Sequence, residues 1–345
     1  MNKQKRIGIR LSALVAACVA VMVMDTLNAQ IYVTQTAGTS GTDSVRSYNL
    51  DGTLANANFI TMPGTNADPY KLSLDGLGNL YVGSIGTLAN GGARIAKYDA
   101  TTGSVISGFG ITGSGYTNFT APGGIQSVGG IIYATSYNAH TAWRLDSTTG
   151  AFLDGASPWI TMTGITAGVR EHDIAISGGI LYETNYNTSG TTGTIRRYDM
   201  TTGAQIGGDW ISGLAGPLAT VIDNGYLYVG ITNANKIARY NLTTGLGGDF
   251  ITTGLSAPEY MTIANGSLYV TNYSTTVGYV GQYDATTGAT INDHLIQNLL
   301  GPIGIAVIST VPEPSSMALI GIAVIAFMTW EIRKRKSKKY LMVNR

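Results

Sequence analysis

The sequence contains little charge and almost no cysteine. Charged residues make up only 12% of the 345 residues, which is too few for a coiled coil or another long-helix protein. The single cysteine, Cys18, lies inside the N-terminal apolar run. A chain cleaved beyond Cys18 therefore has no disulfide, no cysteine-based metal site and no cysteine nucleophile.

The few charges are also unevenly distributed. Basic residues are concentrated at the two ends of the chain, so residues 30–310 carry a net charge of −7. A surface of this sign repels phosphate backbones. We therefore expect no nucleic-acid partner.

Residues 1–29 have the three-part layout of a secretory signal peptide. A basic start is followed by the apolar stretch from Leu11 to Met24, and Asn28-Ala29 supplies a small residue at the cleavage point. The alternative is a lipoprotein signal, in which Val15-Ala16-Ala17-Cys18 would be the lipidation box. Both interpretations predict export.

The other end, residues 311–345, has a second three-part layout. A Pro-Glu-Pro motif precedes the apolar run from Met317 to Trp330, and the basic run Arg333-Lys334-Arg335-Lys336 follows. The apolar run predicts a short transmembrane helix whose length, about 21 Å, falls short of a hydrocarbon core of about 30 Å. By the positive-inside rule, the basic tail stays cytoplasmic and residues 30–310 lie outside the cytoplasm.

This tail resembles the PEP-CTERM sorting signal, with Pro312, Glu313 and Pro314 as its motif. The resemblance implies a Gram-negative envelope, processing by an exosortase-type membrane transpeptidase, and an association with exopolysaccharide. The precursor would be anchored in the inner membrane, and residues 30–310 would be held in the envelope or released. The alternative is an ordinary C-terminal membrane anchor.

Residues 30–310 consist of six related units. Each unit has an apolar-Tyr-apolar strand, and the phrase Asp/Asn-x-Thr-Thr-Gly closes five of the six. The strand tyrosines are spaced 49, 52, 49, 46 and 41 residues apart. These periods suit four-stranded propeller blades. The sequence therefore predicts an all-β, six-bladed β-propeller; the strand tyrosines are Tyr32, Tyr81, Tyr133, Tyr182, Tyr228 and Tyr269.

A spare strand after the sixth unit predicts how the ring closes. Complete units begin with a Pro-led strand, as at Pro69 and Pro258, whereas the first unit lacks one. The segment Gly301–Val307 is an extra Pro-led copy at the C-terminal end. We expect it to join the first blade, which removes both free sheet edges.

The sequence pattern of the strands, above all Asp75-Gly-Leu-Gly-Asn-Leu-Tyr-Val82, resembles that of NHL-repeat propellers. It is more distantly similar to the gluconolactonase and virginiamycin B lyase families. The resemblance extends over residues 31–308 and implies the architecture. In the gluconolactonase-like enzymes it also implies a divalent metal at the channel, although the opening Glu-Gly-Pro of that family is missing here.

Loops rich in Tyr and Asn follow the apolar-Tyr-apolar strands and are predicted to surround one mouth of the channel. Tyrosine offers an apolar face with a polar tip, which suits stacking on sugar rings. The alternative is a polar rim that only hydrates the channel mouth. The candidate ligand-binding residues are Tyr137, Asn138, Tyr186, Asn187, Tyr260 and Tyr273.

Acidic residues from separate units are predicted near the same mouth. Carboxylates converging from several blades suit Ca²⁺ or another oxygen-loving cation. A lyase-like reaction would use His172 as its base, whereas His294 falls at the position that Phe59, Trp159, Trp210 and Phe250 fill in other units, so we expect it to pack. The candidate metal ligands are Asp68, Glu171, His172, Asp173 and Glu259.

The sequence thus predicts an exported binding or scaffold module with a polysaccharide or an envelope protein as partner. The competing hypothesis is a metal-dependent propeller enzyme of the lactonase or lyase kind. The predicted division is a signal peptide over 1–29, the propeller over 30–310 and the sorting signal over 311–345.

Overall fold

The computed structural model describes residues 29–36, 43–62, 67–85, 94–109, 119, 121–136, 139–163, 169–187 and 192–309. Residues 94 and 169–172 are described by their backbone alone. The strands of this part form six antiparallel sheets, which are the blades of a propeller. The all-β, six-bladed prediction is confirmed, whereas the predicted signal peptide and transmembrane helix lie outside the described residues.

Each blade takes consecutive strands of the chain, and only blade 1 also takes the last strand. Blade 1 contains β1 (Gln30–Gln35), β2 (Ser44–Asn49), β3 (Leu54–Thr61) and β23 (Pro302–Ile308); blade 2 contains β4 (Pro69–Leu74), β5 (Asn79–Ser84) and β6 (Arg94–Asp99). Blade 3 contains β7 (Pro122–Val128), β8 (Ile131–Ser136), β9 (Thr141–Asp146) and β10 (Ile160–Thr161); blade 4 contains β11 (Val169–Ser177), β12 (Ile180–Asn187), β13 (Gly193–Asp199) and β14 (Ile211–Leu214). Blade 5 contains β15 (Pro217–Asp223), β16 (Tyr226–Ile231), β17 (Lys236–Asn241) and β18 (Gly247–Ile251); blade 6 contains β19 (Pro258–Ala264), β20 (Ser267–Asn272), β21 (Gly278–Asp284) and β22 (Thr290–Leu299).

Three of the four strands predicted for blade 2 lie among the described residues. Its described residues form three, and the place of the fourth is marked by a single bridge between Tyr98 and Val105. A 3-10 turn over Thr232–Ala234 follows β16 in blade 5.

The ring closes as we predicted from the extra Pro-led segment at its C-terminal end. Strand β23 pairs antiparallel with β1, with Ala306 opposite Tyr32 and Val33 opposite Ile305. The innermost strands β23, β4, β7, β11, β15 and β19 each contact the next around the ring. The first and last strands are therefore both paired on the side where each would otherwise be an open edge.

The Asp/Asn-x-Thr-Thr-Gly phrase folds into a turn held by its first side chain. Asp99 Oδ1 accepts hydrogen bonds from the backbone N–H of Thr101 at 3.0 Å and of Thr102 at 2.8 Å, and from the Thr102 hydroxyl at 3.0 Å. The glycine that ends the phrase adopts a positive φ, +71° at Gly103. This is the self-bonding turn that Asp and Asn favour. The same bonds form at Asp146, Asp199, Asn241 and Asp284.

These turns also connect neighbouring blades. A Cβ placed on Gly103 would lie 2.1 Å from the carbonyl oxygen of Phe59, so the outer strand of blade 1 lies directly against the turn of blade 2. Only glycine allows both this approach and the positive φ. The corresponding contacts join Gly203 to Trp159, Gly245 to Trp210 and Gly288 to Phe250.

The expectation that His294 fills this packing position is wrong. The residue against the Gly52 turn is Leu295, whose carbonyl oxygen would lie 2.1 Å from a Cβ on Gly52. The side chain of His294 is 48% exposed and stacks on Tyr279, with 4.1 Å between the ring centroids. The residue of blade 6 that corresponds to the packing aromatic residues of the other blades is therefore Leu295, one position after His294.

The strand tyrosines connect blades in a second way. Their rings pack against aliphatic side chains of the next blade, as Tyr133 does with Leu181, and burying such a ring contributes about 1.5–3 kcal/mol. The hydroxyls of three of these tyrosines reach the turn of that blade. Tyr81 donates to the carbonyl of Ser147 at 3.1 Å and Tyr228 to that of Ala285 at 2.6 Å, and Tyr32 donates to that of Ala100. The core thus lies between blades, which fixes the ring around its central channel.

Candidate functional site

A single layer of side chains fills the middle of the channel. At one level of the inner strands, alternate blades contribute the large residues Lys71, Asp173 and Tyr260. The other three blades contribute small residues at that level: Gly124, Ala219 and Gly304. We call the three large residues the crossbar. Large side chains from blades 2, 4 and 6 thus interdigitate with small ones from blades 3, 5 and 1.

An ion pair forms one arm of the crossbar. Lys71 Nζ lies 2.8 Å from Asp173 Oδ2, although the strand of blade 3 separates the strands that carry them. The backbone N–H of Thr220 donates to the same carboxylate at 2.9 Å. Complete burial raises the pKa of Asp173, and the Lys71 ammonium opposes that rise. The pair is therefore an internal, mutually neutralised charge couple.

Tyr260 forms the other arm. Its ring lies beneath the ammonium of Lys71, 4.4 Å from nitrogen to ring centroid, which is a cation–π distance. Its hydroxyl donates to the carbonyl of Gly123, on the opposite blade, at 2.9 Å. The edge of the Tyr70 ring packs on it, with centroids 5.4 Å apart. At 1% exposure, Tyr260 is part of the channel filling, although the sequence suggested a ligand contact.

Buried threonines hold the inner strands at this level. The register of the inner strand shifts in every blade just where the crossbar layer lies. Thr271 Oγ1 accepts the N–H of Tyr260 at 3.0 Å and donates to the carbonyl of Ile303 on the next blade at 2.6 Å. The N–H groups of the shifted residues are therefore satisfied, as burial requires. The equivalent N–H bonds are Gly124 to Thr135, Asp173 to Thr184 and Gly304 to Thr34.

The Tyr-Asn loops begin later than the sequence suggested. Thr135, Ser136, Thr184 and Thr271, which precede the Tyr and Asn residues in the sequence, lie in strands and are fully buried. The amide of Asn272 is 1% exposed and accepts the N–H of Ser256 at 2.8 Å. On the rim, Tyr273 follows the end of β20, whereas Tyr186 and Asn187 still belong to β12.

The channel mouth on the side of these loops is acidic and aromatic. Burial raises the pKa of Glu259 to about 7. Burial, followed by the nearby charges of Glu259 and Asp68, raises the pKa of Tyr273. Burial and the charge of Asp43 raise the pKa of Asp68, whose N–H donates to Asp43 Oδ2 at 2.9 Å. Tyr273 therefore lies within electrostatic range of carboxylates from blades 6 and 2.

The other predicted ligand residues are only partly described. Tyr186 packs over Gly216 at the start of blade 5, where a Cβ would come within 2.8 Å of its ring. The side-chain amide of Asn187 donates to Thr192 Oγ1 at 2.6 Å. Tyr137 and Asn138 lie outside the described residues. Tyr186 and Tyr273 are both partly buried rim residues of different blades.

The predicted metal ligands do not form one group in the described part. Asp173 is neutralised by Lys71 in the crossbar, and Asp68 and Glu259 belong to the mouth. The side chains of Glu171 and His172 are outside the described residues. Among the residues described, no cluster of three His, Cys, Asp or Glu side chains could hold a metal ion.

Sequence reasoning missed Lys71. The signal that could have found it is its alignment, since Lys71 stands two residues after Pro69 just as Tyr260 stands two after Pro258. A basic and an acidic residue at the same position of two inner strands predict a contact across the channel. No motif marks this position, because glycine is the only residue type that occurs there in more than one blade.

Comparison with known proteins identifies the C-terminal segment and the fold. Residues 310–335 match the PEP-CTERM protein-sorting motif. No curated protein is significantly similar to the chain in sequence. The chain therefore carries a PEP-CTERM sorting motif, which implies export, sorting to the cell surface and processing by an exosortase.

Many solved structures share the fold. A chain of the nidogen/laminin complex superposes with a TM-score of 0.61 at 15% identity, over 82% of this chain and 99% of that one. The calcium-binding protein regucalcin from Agrobacterium tumefaciens strain C58 superposes with a TM-score of 0.50 at 14% identity, over 69% of this chain and 76% of that one. These similarities establish the propeller fold. In the part of the chain that the structure describes, no helix has the length and hydrophobicity to cross a membrane.

Proposed function

We propose that this exported propeller is a binding or scaffold module, and that it binds neutral or cationic polysaccharide at the acidic, aromatic mouth of its channel. The observation that carries the proposal is Tyr273 on the rim, within range of the carboxylates of Glu259 and Asp68. A tyrosine ring can stack on the apolar face of a sugar. Carboxylates accept hydrogen bonds from sugar hydroxyls or attract amino groups.

The last inner strand ends on the face of the ring opposite the mouth. The last residue of β23, Ile308, pairs with Gln30, the first residue of β1. Inner strands start at the mouth and run away from it, so the chain leaves the ring at the end opposite the mouth. The sorting motif begins two residues later, at residue 310.

The crossbar further limits what the mouth can do. Lys71, Asp173 and Tyr260 are buried across the channel, so a polymer cannot thread through it. Binding at the rim then involves few rings, each contributing on the order of 1 kcal/mol. Affinity for a polysaccharide would come from several contacts along one chain of sugars.

A pull-down with three polymers tests the proposal. We expect retention on a neutral glucan and on chitosan, and none on polygalacturonate, because residues 30–310 carry a net charge of −7. Replacing Tyr137, Tyr186 and Tyr273 together by alanine should abolish retention. The matched control is Tyr226→Ala, on the opposite face. Retention that survives the triple change, or no retention by the unaltered protein, would refute polysaccharide binding at the mouth.

A metal-dependent lactonase- or lyase-like activity is the second candidate. What favours it is Glu259, whose pKa of about 7 suits a general acid or base near neutral pH. Asp173 is already neutralised by Lys71, so a cation would need Asp68, Glu259 and the side chains of Glu171 and His172. Metal analysis of the purified protein decides: one bound divalent ion, such as Ca²⁺, lost in Glu171→Ala would favour the enzyme, and metal-free folded protein would oppose it.

A further inference from the structure

Glu259 places a carboxylate where two other blades have aliphatic side chains. It stands one residue after the proline that starts its inner strand. At the same position, Leu218 of blade 5 and Ile303 of blade 1 are buried in one hydrophobic cluster. Burial likewise removes water from the carboxylate of Glu259 and raises its pKa. Burying a carboxylate costs free energy unless a partner compensates the charge. The equivalent residues of the remaining blades are Tyr70, Gly123 and His172.

The described part of the chain supplies no such partner. Within it, no hydrogen bond or ion pair engages the carboxylate of Glu259 or that of Asp68. Lys71, the basic residue of the crossbar, is already paired with Asp173. Two partly buried carboxylates without a counter-charge favour a cation as the occupant of the mouth, because an opposite charge stabilises their ionised form.

Tyr273 lies beside both carboxylates, and backbone hydrogen bonds hold it there. Its N–H donates to the carbonyl of Ala257, two residues before Glu259, at 3.0 Å. The N–H of Ile85 makes the equivalent bond in blade 2, to the carbonyl of Asp68 at 3.1 Å. Tyr273 and Ile85 pack against the same hydrophobic cluster. After burial, the charges of Glu259 and Asp68 are what raises the pKa of Tyr273. The ring and the two carboxylates therefore share one part of the rim.

We infer that the mouth selects sugars that carry a free amino group, and that Glu259 and Asp68 determine this specificity. The inference rests on the proposed binding of polysaccharide at the mouth and names the class of sugar. The ammonium group of the sugar donates to Glu259, and Asp68 adds a second negative charge nearby. The ring of Tyr273 packs on the apolar face of the same sugar. An N-acetylated sugar is uncharged and leaves both carboxylates uncompensated.

Isothermal titration calorimetry of the purified full-length protein with two tetrasaccharides tests this specificity. One is the β-1,4-linked tetramer of glucosamine, and the other is its fully N-acetylated form. EDTA in the buffer prevents a divalent ion from occupying the same carboxylates. At pH 7 and low salt, we expect the glucosamine tetramer to bind about tenfold more tightly, because hydrogen bonds between charged groups are the stronger ones. The preference should shrink in about 0.5 M NaCl, since salt screens partly exposed charges.

Three variants assign the preference to particular residues. Glu259→Gln keeps the shape of the side chain and should remove most of the preference without weakening binding of the N-acetylated tetramer. Asp68→Asn should reduce the preference less, and asparagine tolerates the positive φ of +43° at this position. Asp223→Asn, at the end of β15 on the opposite face, removes the same charge and should leave the preference unchanged. Circular dichroism confirms that each variant is folded.

The possible failures are distinguishable. A preference that survives intact in Glu259→Gln would overturn the inference, because the overall negative charge of the protein would then be what attracts the amine. Equal binding of the two tetramers would also overturn it, but would leave polysaccharide binding at the mouth standing. If neither tetramer binds, the inference is wrong, and the pull-down with polymers decides separately whether the proposed function is wrong as well.

Discussion

Lys71 and Asp173 form an ion pair across the channel, 2.8 Å from Nζ to Oδ2, although a whole blade separates their strands. The contact exists because blade 3 contributes only Gly124 at this level, where a Cβ would lie 2.8 Å from the backbone nitrogen of Ile174. The pair closes the channel below the mouth. It also links blades 2 and 4, which do not touch through a sheet.

Breaking this pair on one side should destabilise the propeller strongly. We expect Lys71→Met to lower the free energy of unfolding by about 3–5 kcal/mol, because the fully buried carboxylate of Asp173 loses its counter-charge. The double variant Lys71→Met, Asp173→Leu should recover most of that loss, since no uncompensated charge then remains. Urea unfolding of the unaltered protein, the single variants Lys71→Met and Asp173→Leu, and the double variant measures the difference, and two additive single effects would contradict a coupled pair.

Ring closure by β23 leads to a second prediction. A chain that ends at Ser309 retains β23 and should unfold cooperatively, like the full-length protein. A chain that ends at Leu300 leaves β1 unpaired on its inner side and removes the buried Ile303 and Ile305 from the core. We expect it to lose cooperative unfolding in thermal circular dichroism. A stable, cooperative chain ending at Leu300 would show that closure is not needed.

The ring and its closure were predictable because they depend on local, repeated signals. The Asp/Asn-x-Thr-Thr-Gly turn is determined within five residues, and the Pro-led spare strand is visible as one copy too many. The crossbar depends on which side chains three separate blades place at one level, and its members share no motif. The charges of Asp68 and Glu259 act on Tyr273, but ligand binding at the mouth stays a prediction.

The misplacement of His294 has a different cause. The spacing from the turn glycine to the packing residue varies between units, from five residues at Phe250 to nine at Trp159. No fixed spacing therefore decides between His294 and Leu295, and choosing the ring-bearing residue leads to His294, whereas the strand presents Leu295 to the neighbouring turn. Irregular outer strands of this kind hide their alignment from any search for a fixed spacing.

The contact between Gly103 and Phe59 can be measured by a matched pair of substitutions. Gly103 and Gly76 have nearly the same φ, +71° and +73°, but a Cβ on Gly76 would meet nothing within 4 Å. Alanine at either position strains the backbone, and only at Gly103 does it also collide with the carbonyl of Phe59. We expect Gly103→Ala to cost about 1–3 kcal/mol more than Gly76→Ala in urea unfolding. Equal costs would mean that the blades separate easily at this contact.

The raised pKa of Glu259 predicts how stability depends on pH. Its ordinary value is 4.5 and burial raises it to about 7, so between these values the folded protein binds a proton that the unfolded chain has released. The stability that this proton provides is complete below pH 4.5 and is lost as the pH rises to about 7, with no further change above that. The full difference is on the order of 3 kcal/mol, at about 1.4 kcal/mol for each pKa unit.

Glu259→Gln should remove this dependence, because glutamine keeps the shape of the protonated side chain and does not titrate. We expect the variant to match the unaltered protein at pH 5 and to be more stable at pH 8, as measured by urea unfolding at four pH values between these limits. Asp223→Asn, on the opposite face, controls for the loss of one negative charge and should leave the slope unchanged. If Glu259→Gln and the unaltered protein lose stability in parallel from pH 5 to pH 8, then Glu259 is solvated at the mouth and its proton plays no part in the stability of the ring.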